Sequence, residues 1–97
     1  MRKKKLPKGW AEGSVQDLLG LSDDEAAIVE MRVRLAARVR QKRQARGVTQ
    51  KELARRIQST QPRVARLEQA DASMELLIRA LFALGSDRKE IGKLLAA

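Results

Sequence analysis

A proline at position 62 divides the centre of the chain, within the stretch IQSTQPRVARLE, residues 57–68. Proline has no backbone N–H, so a helix tolerates it in its first turn, where that N–H has no intrahelical partner. Beyond it, Val64 and Leu67 are three residues apart, with Arg63 and Arg66 on the other side, which is helical spacing. Thr60, just upstream, has a hydroxyl suited to an N-cap. The proline therefore marks a helix start, over residues 60–69. Upstream, Thr49 and Glu52 have capping-box spacing, and Leu53, Ala54 and Ile57 form a buried face over residues 49–57. Only Gln58 and Ser59 remain between the two. The centre of the chain reads as helix, tight turn, helix, with the motif spanning residues 49–69.

The same punctuation extends in both directions, and nothing is strand-like. Ser22 caps a long helix whose first residues, Asp23, Asp24 and Glu25, suit its positive end. Capping also explains these acids better than a metal cluster does. The inward stripe is Ile28, Met31, Leu35 and Val39. Arg40, Lys42, Arg43 and Arg46 load the C-terminal end, and Gly47 suits the left-handed position beyond it. Ser73 starts a fourth helix, MELLIRALFAL, closed by Gly85 and apolar nearly all round. Such a helix needs cover on more than one side, from a fully enclosing core or from a dimer partner. A fifth helix runs from about Asp87 to Leu95, with Ile91, Leu94 and Leu95 inward. Residues 14–21 hold a short apolar patch with room for one helical turn. Residues 1–13, MRKKKLPKGWAEG, read as a flexible basic arm. The fold class is all-α, with five helices in one domain over residues 14–97.

Composition limits the chemistry. The 97 residues contain no cysteine and no histidine, which removes thiol catalysis, Cys zinc sites and the usual general base. No carboxylate pair sits in an apolar setting, so an enzyme is disfavoured and no cofactor or metal is expected. No apolar run is long enough to span a bilayer, and no apolar stretch follows Lys3–Lys5, so the expected compartment is the cytoplasm. The net charge is +9 and unevenly placed. Residues 10–31 hold only acids, whereas residues 32–56 hold many Lys and Arg against Glu52 alone. A basic block inside a folded region suggests a polyanionic partner, the plain alternative being a solvated helix face.

Placed on the two central helices, the exposed residues acquire roles. A short second helix can enter the DNA major groove, where Gln matches adenine and Arg matches guanine. Thr60, Gln61, Arg63 and Arg66 suit base reading, and Arg46, Thr49, Gln50 and Lys51 suit phosphates. Of Arg32, Arg34, Arg38 and Arg40, two at most are expected on phosphates. Arg43 lies four residues beyond Val39 on the inward stripe, so its guanidinium needs a buried carboxylate partner. Glu68 is the only acid between Glu52 and Asp71.

The stretch GVTQKELARRIQSTQPRVARLE, residues 47–68, resembles the phage-repressor (Xre/Cro) helix-turn-helix family. That resemblance implies a lambda-repressor-like fold and a sequence-specific, double-stranded-DNA-binding repressor acting as a homodimer. It also implies that Gln50 touches a phosphate, that Gln61 leads base reading ahead of Arg63 and Arg66, and that Arg43 pairs with Glu68. The flanking segments LLGLSDDEAAIVEMRVRLAARVRQ and LLIRALFALGSDRKEI extend the likeness to the HigA-type antitoxin branch. That branch implies a small toxin protein as a second partner, with residues 1–30 as the toxin-facing part. Sequestering that toxin is the alternative main function. An RNA-binding role is disfavoured by the scarcity of aromatics. Two positions depart from the family: Gln58 and Ala70 stand where glycine is usual, so these turns either adjust or carry strain.

Overall fold

The computed structural model describes residues 14–97. The basic arm expected over residues 1–13, with Lys3–Lys5 and Trp10, lies outside them. Six α-helices follow in order: α1 (Ser14–Leu18), α2 (Asp23–Ala45), α3 (Gln50–Arg56), α4 (Gln61–Leu67), α5 (Met74–Ala83) and α6 (Arg88–Ala96). The five expected helices are present as α2–α6, and the apolar patch near residue 15 forms a sixth. No strand occurs among the described residues, and none of their helices is long and apolar enough to cross a membrane.

The starts of α2–α6 are each set by a side-chain oxygen. Ser22, Thr49, Thr60, Ser73 and Asp87 occupy the N-caps of α2–α6, and each accepts a backbone N–H three residues on. At α2 the box is reciprocal, because the Ser22 N–H donates to Glu25 Oε1 at 2.9 Å. The box expected at α3 is only half made. Thr49 Oγ1 accepts the Glu52 N–H at 3.0 Å, but the Glu52 carboxylate turns instead to the Arg55 and Arg56 guanidiniums. Two charged donors outcompete one backbone N–H.

The helix ends are equally uniform. After each of α1–α5 a left-handed residue follows within three positions of the last helical one, at Gly20, Gly47, Gln58, Ala70 and Gly85. In each case the next N–H reaches back five residues: Leu21 to Gln16, Val48 to Arg43, Ser59 to Ala54, Asp71 to Arg66 and Ser86 to Leu81. This is the Schellman closure. Gln58 (φ 55°) and Ala70 (φ 65°) adopt it without glycine, so both turns carry strain.

One core serves the molecule. Leu35 and Val39 of α2, Leu53 and Ile57 of α3, Val64 and Leu67 of α4, and Leu77, Ala80, Leu81 and Leu84 around α5 are buried, with Ile91 of α6 beneath them. Ala54 is buried where α3 passes close to its neighbours. The N-terminal end of α2 departs from the expected stripe: Met31 is half-buried and Ile28 is 42% exposed. The helix extends beyond the end of the core there. Of the apolar α5 residues, Leu76 and Ile78 are half-buried and Phe82 is exposed, so this chain covers most of that helix itself.

A second tether joins α2 to α6. Lys42, buried at the end of the inward stripe, donates from Nζ to Ser86 Oγ at 2.9 Å and Glu90 Oε1 at 2.6 Å. Arg38 Nε donates to Glu90 Oε2 at 2.7 Å. Lys42 and then Arg38 hold the Glu90 carboxyl well below the usual carboxylate range, at about 2.

Two outcomes are expected. Gln58 is exposed, so Gln58→Gly removes left-handed strain of about 1–2 kcal/mol. It adds unfolded-chain entropy worth roughly 0.4–1 kcal/mol, leaving a net gain of about 0.5–1 kcal/mol. Thermal melting followed by circular dichroism should show a Tm rise of a few degrees. Ala70→Gly should gain less, because the Ala70 methyl packs against the core. The second outcome concerns pH. A depressed folded pKa means that Glu90 stabilises the fold above its unfolded value of roughly 4.3. That contribution is lost as pH falls from there through about 2. Glu90→Gln should lower Tm at pH 7, and the gap from the parent protein should close in melts taken down to pH 2.

Candidate nucleic-acid interface

The site is built on the two seven-residue helices. In α4, Val64 and Leu67 face the core and are fully buried. That anchoring turns Thr60, Gln61, Pro62, Arg63 and Arg66 outward, and all five are exposed. Thr60 Oγ1 accepts the Arg63 N–H at 3.4 Å, with Gln61 and Pro62 in the first turn. Thr49 caps α3, Gln50 is its first residue, and Lys51 projects into solvent.

A chain of polar contacts fixes one helix against the other. Arg43 Nε and Nη2 both donate to Glu68, the second at 3.0 Å. Arg43 Nη1 donates to the Val48 carbonyl at 2.9 Å, so the guanidinium ties the end of α2 to the chain entering α3. The pair is nearly dry: the side chains are 12% and 4% exposed. A forked guanidinium matches a carboxylate in two parallel bonds, which is the geometry that lets a desolvated pair persist. Gln50 Nε2 donates to Glu68 Oε1 at 3.1 Å, and Gln61 Nε2 donates to Gln50 Oε1 at 2.7 Å.

Chemistry fixes the polarity of this chain. An ionised carboxylate only accepts, so Gln50 must turn its NH₂ toward Glu68 and its carbonyl toward Gln61. Gln61 must then donate. That leaves its own carbonyl and one N–H directed elsewhere, an acceptor beside a donor. Such a pair matches the N6 and N7 edge of adenine in the major groove.

The structure thus brings Arg43, Glu68, Gln50 and Gln61 into one network, with Thr60, Arg63 and Arg66 along the same exposed face of α4. Arg63 and Arg66 make no side-chain bond among the described residues. Arg46 is placed differently. Its guanidinium lies over Gly85 in the turn between α5 and α6, where a Cβ would meet its Nη1 at 2.9 Å. Among the arginines of α2, Arg38 is held by Glu90 and Arg34 by Glu30, whereas Arg32 and Arg40 pair with no carboxylate among the described residues.

Two groups went unread in the sequence. One is the Glu52 carboxylate, which Arg55 and then Arg56 hold at about 2, so part of the basic block is neutralised locally. The spacings of three and four residues could have shown it. The other is the Lys42–Ser86–Glu90 cluster. Lys42 falls three residues after Val39, so its burial was legible, but its partners lie more than forty residues away and carry no local signal.

Two short capped helices crossing over a shared core, with the exposed polar start of the second held by the first, define a helix-turn-helix DNA-binding domain. A family model described as a helix-turn-helix domain matches residues 17–89, and the chain belongs to that family, which is Xre-like. No curated protein and no solved structure matches the chain.

Removing the Glu68 carboxylate should leave a desolvated guanidinium unpaired. Glu68→Ala is expected to cost about 3–5 kcal/mol, read from the midpoint of urea unfolding. Glu75→Ala, on an exposed pair with Arg79, should cost no more than about 0.5 kcal/mol in the same titration.

Proposed function

We propose that the chain is a sequence-specific double-stranded-DNA-binding regulator that represses transcription as a homodimer. The observation that carries this reading is the Gln50-held Gln61 beside the exposed Arg63 and Arg66. Gln61 leads base reading through its outward acceptor and donor, and Thr60, Arg63 and Arg66 follow along the groove. Thr49, Gln50 and Lys51 lie at the start of α3, where they bind phosphate and set the register of α4. Arg46 joins them only by leaving Gly85. Repression follows from occupancy of a promoter, and a dimer reads paired half-sites about one helical turn apart.

The test is a titration of labelled, selected operator-like DNA at several salt concentrations. The parent protein should prefer its selected site, and its affinity should fall steeply with salt. Gln61→Ala or Arg66→Ala should lose about 1–3 kcal/mol on the selected site and relax preference at one base position. Lys51→Ala should weaken all sequences alike. Equal affinity for every sequence, or no binding at low salt, would overturn the reading.

A second role, as the antitoxin of a HigA-type pair, draws support from the N-terminal end. Leu18 and Leu19 are 68% and 63% exposed, beside Asp17 and the acidic start of α2. An exposed apolar and acidic surface suits a basic protein partner. Co-purification with the product of an adjacent gene, lost on Leu18→Glu/Leu19→Glu, is the expected result, and no complex would exclude the role.

A further inference from the structure

α2 has a second apolar face. Leu35, Ala36 and Val39 are turned into the core. On the opposite side of the helix, Ala26, Val29, Val33 and Ala37 follow one another at steps of three or four, continued by Arg40 and Gln44. Val29 and Val33 are 41% and 52% exposed. This side is also one wall of an open groove, lined by Val33, Ala37, Arg40 and Gln44 and by Gln69 and Ala70 of the turn after α4.

The charges along α2 say what fits there. Its first eight residues hold Asp23, Asp24, Glu25 and Glu30 and no base. From Arg32 to Arg46 there are seven bases and no acid. Arg40, on the groove, pairs with no carboxylate among the described residues. A helix of 23 residues is about 34 Å long. Laid antiparallel against a copy of itself, it sets each acidic end beside the basic end of the other. A parallel arrangement would set like charges together. Ala26 and Ala37 are small enough to let the two axes approach closely.

We propose that the homodimer forms through this face. The α2 helices of two copies cross antiparallel near Val33 and Ala37, and the Ala26–Val33 end of each seats in the groove of the other. Around the two-fold axis, Glu30 of one copy comes level with Arg40 of its mate. The contact is isologous, so one surface supplies both halves and closes the assembly at two. It rests on the dimer reading above and names the face that the reading leaves open. The groove floor includes Glu68, the carboxylate that holds Gln50, so each copy packs next to the other's reading network.

The absence of cysteine makes a clean test available in the full chain. Val33→Cys and Phe82→Cys each place one thiol at an exposed position, the first on the proposed face and the second on α5. Each is treated with a short bis-maleimide at a concentration where sedimentation shows the parent protein dimeric. Val33→Cys should crosslink to a dimer at least tenfold faster than Phe82→Cys. Val33→Glu should raise the dimer dissociation constant at least tenfold, with an unchanged circular dichroism spectrum. A dimeric parent in which Val33→Cys crosslinks no faster than Phe82→Cys would overturn this face and leave the dimer intact. A parent protein monomeric at every concentration would overturn both.

Discussion

Removing a guanidinium from water is costly, and Arg43 has been removed almost entirely. Its position on α2 leaves no alternative, because four residues before it Val39 is fully buried on the same stripe. The cost is offset only by a carboxylate held in forked geometry, and Glu68 supplies it from the end of α4. That one pair therefore sets the distance between the scaffold helix and the exposed helix. Arg43 also holds the Val48 carbonyl, and Glu68 also holds Gln50, so the start of α3 is placed by the same contact. The core gives α4 its depth through Val64 and Leu67, and the ion pair gives it rotation and register.

Stability and function place different demands on this small chain. Lys42, Arg38 and Glu90 fasten α6 to α2 on the side away from the network, and Arg34 and Glu30 pair along α2 itself. Glu52 occupies Arg55 and Arg56. Much of the basic block is thus spent on internal pairs. Among the described residues, the arginines that pair with no carboxylate include Arg63 and Arg66 on the exposed face of α4, and Arg32 and Arg40 on α2. Net charge gives long-range attraction to a polyanion, but the unpaired cations decide where that attraction is directed.

The helical layout was legible in the sequence because its punctuation is local. Ser22, Thr49, Thr60, Ser73 and Asp87 act within three residues, and Pro62 acts within one turn. The departure from glycine at Gln58 and Ala70 was visible, but its consequence was not. A turn can adjust or accept strain, and the neighbouring Schellman bonds decide that it accepts it. The contact of Arg43 with Glu68 could be posed from burial and elimination alone. The Gln50–Gln61 bond could not, since it depends on how two seven-residue helices cross. Ile28 shows the limit of periodicity: its spacing says inward, but α2 extends past the core and leaves it 42% exposed.

Gln50, itself held by the buried pair, holds Gln61 in the posture proposed for base reading. A double-mutant cycle tests it most directly. Gln50→Ala, Gln61→Ala and the double variant are titrated with selected and scrambled duplexes at fixed salt, and the ratio of affinities is compared across the set. Strong coupling is expected: once Gln61 is gone, losing Gln50 should cost little further discrimination, with a coupling of at least about 1 kcal/mol. Additive losses in that ratio would show that the two glutamines act independently and that Gln50 does not position Gln61.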